Sequence, residues 1–287
     1  MGPAKARSHR RYPPGLAGDG PLRDRPVIRM PARAGTYAGF GEWVEGQNRR
    51  DDVLFHFLSD VVCIDLIPEQ LMLYLPTSIF TYAGFRDWAA SDAYPERGRI
   101  SYLNGEVVLD LSPEEIETHN KVKEVVNRVI GGLVVDADLG QYYPDGVQVT
   151  NDPTGLDHVP DGVFVSWEAL ESGRARLAPR KRRRGEYVQL AGAPDWVLEV
   201  VSQTSVKKDT RDLPRIYCRS GIREYWLIDA RGDEIEFRIF VRGRARYKAV
   251  APRGGWLASP VFGRAFRLER RRDRLGLWKY ALRVRPA

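Results

Sequence analysis

Asp161 stands in Val159-Pro160-Asp161-Gly162, just ahead of the apolar run Val163-Phe164-Val165. Glu199 interrupts Trp196-Val197-Leu198-Glu199-Val200-Val201, a stretch that is otherwise continuously apolar and so reads as a strand buried on both faces. An ionised carboxylate in such a strand costs several kcal/mol unless a cation or a strong hydrogen-bond donor accompanies it. The companion is either an arginine, in a buried ion pair, or a metal ion. Two carboxylates at the ends of adjacent strands, followed by Lys207-Lys208, supply what metal-assisted phosphodiester hydrolysis requires. Hard oxygen ligands suit Mg²⁺ or Mn²⁺, and Mg²⁺ keeps several waters while taking only one or two protein carboxylates. The carbonyl of Val200 is a candidate further ligand. A lysine of the Lys207-Lys208 pair is a candidate ammonium for steadying the attacking hydroxide or the developing charge; the alternative reading is a solvated loop lysine.

The elements that must position these groups are legible in outline. Ile100 to Leu111 alternates apolar and polar residues around Asn104-Gly105, which predicts a hairpin. Ser112-Pro113-Glu114-Glu115 then carries an N-cap serine, a first-turn proline and a glutamate three residues after the cap. A helix is therefore expected from Ser112, with Ile116, Val122, Val125, Val126, Val129, Ile130 and Leu133 on its apolar face. Gly146 to Thr150, Gly162 to Val165, Trp196 to Val201 and Glu224 to Ile228 read as short strands. A second helix is placed at Asp212 to Ser220, with Asp212 as cap, Pro214 in the first turn and Gly221 as the stop. Glu234 to Val241, Arg246 to Val250 and the stretch to Arg283 look like further strands. The order β-β-α-β-β-α-β describes an α/β (α+β mixed) fold, with a mixed sheet flanked by helices.

Composition bounds the rest. A chain of 287 residues with 43% hydrophobic positions can bury a proper core. Only Cys63 and Cys218 are present, which excludes a disulfide framework and fits a reducing cytoplasm. The most apolar window, Val53 to Leu75, is broken by Asp60, Asp65 and Glu69, so no membrane span is expected. The basic N-terminus has no apolar core behind it and does not read as a signal peptide. Of the net charge of +7, residues 1 to 33 contribute eight Lys/Arg against two acids. This Pro/Gly/Arg-rich stretch reads as a disordered basic arm, either gripping phosphates or simply solvated. Thr36-Tyr37-Ala38-Gly39-Phe40 with Trp43 recurs as Thr81-Tyr82-Ala83-Gly84-Phe85 with Trp88, read as a repeated segment packing aromatics on a sheet or as a duplication of the region before the core.

Pro160-Asp161, Ala193-Pro194-Asp195, Leu198-Glu199-Val200-Val201-Ser202, Lys208-Asp209, Tyr217, Gly221 and Glu224-Tyr225-Trp226-Leu227-Ile228-Asp229 occur in an order that resembles the Uma-type restriction endonuclease family of the PD-(D/E)XK superfamily. Upstream, Leu103-Asn104-Gly105-Glu106, Ser112-Pro113 and His119 fit that family's opening hairpin and first helix. The resemblance implies a restriction-endonuclease-like core, Asp161 and Glu199 as metal ligands, and hydrolysis of DNA. It departs at the lysine. The superfamily position two residues after the acid is Val201, and the substitute position four residues before the tyrosine is Leu213, which leaves Lys208.

Other candidates carry two readings each. His119 falls on the apolar helix face, as a satisfied core histidine or as a group that binds phosphate or tunes a metal-bound water. Glu106 is a third acid or a surface hairpin glutamate. Asp195 is read as a turn residue, and Tyr225-Trp226 as core residues in preference to a nucleotide-stacking platform. Arg180, Lys181, Arg182, Arg183 and Arg184 lie between the two acid-bearing strands, as contacts to the DNA backbone or as an exposed insertion. The expected organisation is a basic arm at 1–33, an N-terminal extension at 34–78, a nuclease-like core at 79–230 and a C-terminal β extension at 231–287. DNA is the expected partner, and a homodimer is expected where both strands are cut. The rival is a catalytically lapsed nuclease fold that only binds DNA.

Overall fold

The computed structural model describes residues 27–46, 53–66, 71–95, 99–179 and 185–287. Two mixed sheets, rather than one, build the core. A six-stranded sheet runs in the order Tyr247–Ala249, Glu236–Arg242, Glu224–Asp229, Trp196–Val200, Gly162–Ser166, Gly140–Tyr143. Its only parallel pair is Trp196–Val200 with Glu224–Asp229. Two parallel neighbours need a crossover, and the helix Leu213–Arg219 provides it.

A seven-stranded sheet packs over one face in the order Val27–Pro31, Glu106–Asp110, Arg99–Leu103, Leu156–His158, Gln148–Asn151, Tyr187–Gly192, Ala175–Pro179. Because strand residues alternate between faces, Val163, Val165 and Val197 meet Leu103, Val108, Val149 and Leu156 of this second sheet. Phe164, Trp196 and Leu198 point the other way, against Val122, Val126 and Ile130 of the helix Lys121–Asp136 and Phe266 and Leu282 of a C-terminal three-stranded sheet. Asp161 and Glu199 are in phase with Val163 and Val197, so they share the face turned toward the seven-stranded sheet. Tyr225 and Trp226 are fully buried, as expected of core residues.

Three expectations need correction. Val27–Pro31, within the stretch read as a disordered arm, is a strand paired with Glu106–Asp110. Its alternating burial and the ion pairs of Arg29 with Glu106 and Asp212 explain why it orders. Ala32 and Arg33 continue into a 3₁₀ turn, and residues 1–26 lie outside the described residues. The helix expected at Ser112 begins instead with a π-turn at Ile116–Asn120, capped by Glu115, whose carboxylate accepts from the Glu117 and Thr118 amides. Ser112 is engaged with Asp110 and Thr204 and is not free to cap. The extra residue of a π-turn shifts the face presented to the core: Ile116, expected on the apolar face, is exposed, while His119 is buried as expected. The helix placed at Asp212 likewise starts about one turn earlier, with a π-turn at Lys208–Asp212, while Asp212 pairs with Arg29 rather than capping.

The sequence echo is a structural repeat. Each copy is a 3₁₀ turn leading into a helix capped by a threonine hydroxyl, Thr36 accepting from Gly39 N at 3.2 Å and Thr81 accepting from Gly84 N at 3.1 Å. A Cβ at Gly39 or Gly84 would fall 2.0 Å from the carbonyl oxygen of Arg33 or Ser78, so glycine is dictated by close approach in both. Phe40, Trp43, Phe85 and Trp88 bury into one shared core, the structural role expected of them.

Candidate active site

Asp161 and Glu199 are fastened to each other through the backbone. Asp161 N donates to Leu198 O at 3.0 Å, and Val200 N donates to Asp161 Oδ2 at 2.8 Å. The structure thus brings the two acids together, each about 2% exposed. Val200 contributes its amide to Asp161.

Their surroundings differ sharply. Around Asp161, Arg99 Nη1 and Lys123 Nζ each approach Oδ1 to 3.5 Å, and His119 Nε2 lies 3.5 Å from Oδ2. Glu114 and Asp145 stand behind these cations: Glu114 Oε1 accepts from Lys123 at 2.6 Å and meets His119 Nδ1 at 2.9 Å, and Asp145 pairs with Lys123 and, at 3.6 Å, with Arg99. Burial works to raise the Asp161 carboxyl, but the His119 ring and the charges of His119, Arg99 and Lys123 outweigh it and hold the group well below the usual carboxylate range. Burial likewise disfavours the His119 imidazolium, yet Asp161 and Glu114 lift it to about 9.

Glu199 has fewer counter-charges. Its Oε1 accepts from Tyr217 Oη at 2.6 Å and lies 3.4 Å from His158 Nε2, while Lys208 Nζ is 3.8 Å from Oε2. Burial pushes this carboxyl up to about 7 despite Lys208. Asp209, 3.2 Å from the same ammonium and bonded to the Ser205 hydroxyl, is raised to about 7 for the same reason. The Lys208 amine, disfavoured by burial, is nevertheless held above its ordinary value by Asp209 and Glu199 and stays charged. His158 donates to or accepts from Ser101 Oγ at 2.7 Å through Nδ1, and burial drives its pKa far down, so the ring is neutral.

Of the other candidates, His119 is in the site and Glu106 is not: Glu106 pairs with Arg29 at 3.0 Å. Asp195 is more than a turn residue. Buried, it accepts from Ser166 N and anchors Arg174 and Arg223, at 2.6 and 3.0 Å. Arg180, Lys181, Arg182, Arg183 and Arg184 lie outside the described residues. Sequence reasoning missed Arg99, Lys123, His158 and Asp209. For Lys123 a signal existed, since it follows His119 by four residues on one helix and must share its face.

The donor set fits a hard, hydrated divalent cation. Glu199 and Asp209 share a single ammonium, Lys208 Nζ, at 3.8 and 3.2 Å, and His158 Nε2 is buried without a hydrogen-bond partner. Among the described residues no group of three or more His, Cys, Asp or Glu side chains is arranged to enclose a metal, so waters would complete a shell begun by the two acids. No helix among the described residues is long and apolar enough to cross a membrane.

A family model described as "Uma2: Putative restriction endonuclease" matches residues 85–270. No curated protein matches the chain. Among solved structures, the chain is similar to a putative nuclease belonging to DUF820 from Anabaena variabilis ATCC 29413, with 19% identity over 57% of this chain and 82% of that one and a TM-score of 0.40.

Proposed function

Since the chain belongs to the Uma2 family of restriction-endonuclease-like proteins, we propose that it is a metal-dependent endonuclease that hydrolyses DNA phosphodiester bonds. The observation that carries this reading is the amide bridge from Val200 to Asp161, which ties one buried acid to the residue beside the other, with a charged lysine 3.8 Å from the second. Asp161 and Glu199 would hold Mg²⁺ or Mn²⁺, with the Val200 carbonyl as a further oxygen ligand. Bound there, such an ion supplies Lewis acidity toward a phosphate oxygen and a water that ionises near neutral pH.

The chain's own groups do the rest. Lys208 stays protonated and steadies the charge that develops as a hydroxide attacks phosphorus. Tyr217 and the Val200 amide each fix one oxygen of an acid, so the carboxylates are pre-oriented. Arg99, Lys123 and His119 place positive charge beside Asp161, where an anionic phosphate must approach. Supercoiled plasmid incubated with the protein and Mg²⁺ or Mn²⁺ tests this: nicking is expected, EDTA should abolish it, and Lys208→Met should slow it by about 10²- to 10³-fold. Undiminished cutting by that variant removes Lys208 from the mechanism.

One observation favours a second reading. Asp161 already has three cationic neighbours, and Val201 and Leu213 occupy the two places where the superfamily lysine stands, which suits a lapsed site that only binds DNA. The two readings part on stability. Glu199 and Asp209 have folded pKa values of about 7, above their unfolded ones, so they favour the native state at low pH and lose that effect as pH rises through 7. An occupied metal site should therefore show Mg²⁺ raising Tm by about 5 °C or more at pH 8 and hardly at pH 5. A lapsed site should show no Mg²⁺ effect at either pH in thermal-shift measurements.

A further inference from the structure

Apart from residues 1–33, positive charge is concentrated in the C-terminal sheet. Residues 264–287 hold nine Lys/Arg against two acids, whereas residues 34–263 hold 28 Lys/Arg against 34 Asp/Glu. The strands Arg264–Arg272 and Trp278–Pro286 pair antiparallel, with Arg267 opposite Arg283, Glu269 opposite Ala281 and Arg271 opposite Lys279. Strand alternation divides these residues between two faces, with Arg270 and Arg272 on the side of Tyr280 and stacked on Trp278. One face carries Phe266, Tyr280 and Leu282 into the core beneath the helix Lys121–Asp136. The opposite face presents Arg267, Arg271, Lys279, Arg283 and Arg285, with Glu269 as its one acid, flanked by Arg267 and Arg283.

Like charges directly opposite on paired strands destabilise a sheet. Glu269 relieves the Arg267 and Arg283 pair, but nothing acidic lies between Arg271 and Lys279 on that face. A fold gains nothing from that juxtaposition by itself; an anion seated on the face would convert the repulsion into attraction. The guanidinium groups are also held in place, since Arg267 and Arg285 both stack on Trp256, at 4.9 and 4.4 Å from the ring centroid. Stacking fixes the planar fork that takes a phosphate through two parallel hydrogen bonds. Side chains two residues apart on one strand recur at roughly 6.8 Å, which gives a regular row of cations rather than a single pocket. The sheet is rigidly mounted: Trp278 N donates to Glu117 Oε2 at 2.7 Å and Lys121 Nζ donates to Trp278 O at 3.0 Å. The Trp278–Pro286 strand lies beyond the family match, which ends at residue 270.

We propose that the outer face of this C-terminal sheet is a docking surface for the phosphate backbone of duplex DNA. It shares no residue with the Asp161 and Glu199 site and holds whether or not that site cuts. A row of cations with no large aliphatic side chain among them fits a repeating anionic backbone better than a lipid surface, where basic residues work together with inserted apolar ones.

Fluorescence anisotropy of a short labelled duplex of arbitrary sequence, titrated with the full chain at several salt concentrations, tests the proposal. The variant Arg271→Glu/Lys279→Glu/Arg285→Glu should bind about 100-fold more weakly at low salt, and its log–log salt slope should shrink by about 0.9 for each phosphate it no longer neutralises. The alanine pair Arg271→Ala/Lys279→Ala covers the case in which the glutamates unfold the sheet. It should raise Tm by removing the like-charge pair while still weakening binding about tenfold. Binding by a folded variant within twofold of wild type, or wild type that binds anionic phosphatidylserine vesicles but no duplex, overturns the proposal. Glu199→Gln separates this surface from the catalytic reading, because it should lose cutting and keep the binding isotherm.

Discussion

Glu199→Gln is expected to reduce nicking of supercoiled plasmid by at least about 10³-fold, the scale on which electrostatic stabilisation of a transition state operates, and at pH 8 to raise the Tm of the metal-free protein. Both effects follow from one side chain. Glutamine keeps the shape of the acid and can still accept the 2.6 Å hydrogen bond from Tyr217, so the buried pocket stays filled. What it loses is the charge that would hold a divalent cation. The stability change has a definite sign. The Glu199 carboxyl titrates at about 7 in the folded protein, above its unfolded value, so its ionisation above pH 7 works against the fold. Removing it relieves that penalty at pH 8, by about 2–4 °C for each kcal/mol. At pH 5, where the wild-type group is already protonated, the two Tm values should nearly coincide. Full activity in the variant would end the metal-ligand assignment, and a lower Tm at pH 8 would mean the carboxylate is a paired structural charge.

Asp161→Ala should behave in the opposite way. Arg99, Lys123 and His119 all converge on this carboxylate, and His119 and Lys123 are themselves buried. Breaking a buried ion pair by removing one partner leaves uncompensated charge and costs about 3–5 kcal/mol. The loss should appear as a lower denaturant midpoint and a Tm lowered by roughly 10 °C. It should also depend on pH. The carboxyl is depressed, so its contribution is present above its unfolded value and disappears only in strong acid. His119, raised to about 9, contributes fully below its unfolded value and ceases to as pH rises through 9. The difference between variant and wild type should therefore be greatest from about pH 4 to 6.5. Destabilisation of less than about 1 kcal/mol in urea titrations would show that the cations do not depend on Asp161. Because inactivity of this variant would mix folding with chemistry, Glu199 is the cleaner probe of catalysis.

Two local motifs explain why the site is only half visible in the chain. The sequence leaves Lys208 ahead of a helix expected at Asp212, but the helical turns begin earlier and a π-turn spans Lys208–Asp212. That places the ammonium beside Glu199 and Asp209 rather than in solvent. The helix that follows the π-turn at Ile116–Asn120 turns Lys123 as well as His119 toward Asp161. An inserted residue of this kind leaves no mark in a hydrophobic period, because the period is read by assuming it absent. The Asn104-Gly105 hairpin, by contrast, is plain in the sequence, since positive φ at both residues is a demand few pairs meet.

The sequence by itself determined the positions of Asp161 and Glu199, the strands that bear them, the crossover helix ending at Gly221 and the repeated aromatic segment. Each of these depends on local chemistry: a charge in an apolar run, a turn needing glycine, a period of two. Only the tertiary structure decided how the acids differ. Arg99 arrives from another sheet, Lys123 from a helix and Lys208 from a turn, and their uneven distribution leaves Asp161 amply compensated and Glu199 short of positive charge. A carboxylate's pKa is set by the charges and burial around it, and those neighbours are assembled by strand register and helix phase across long stretches of chain.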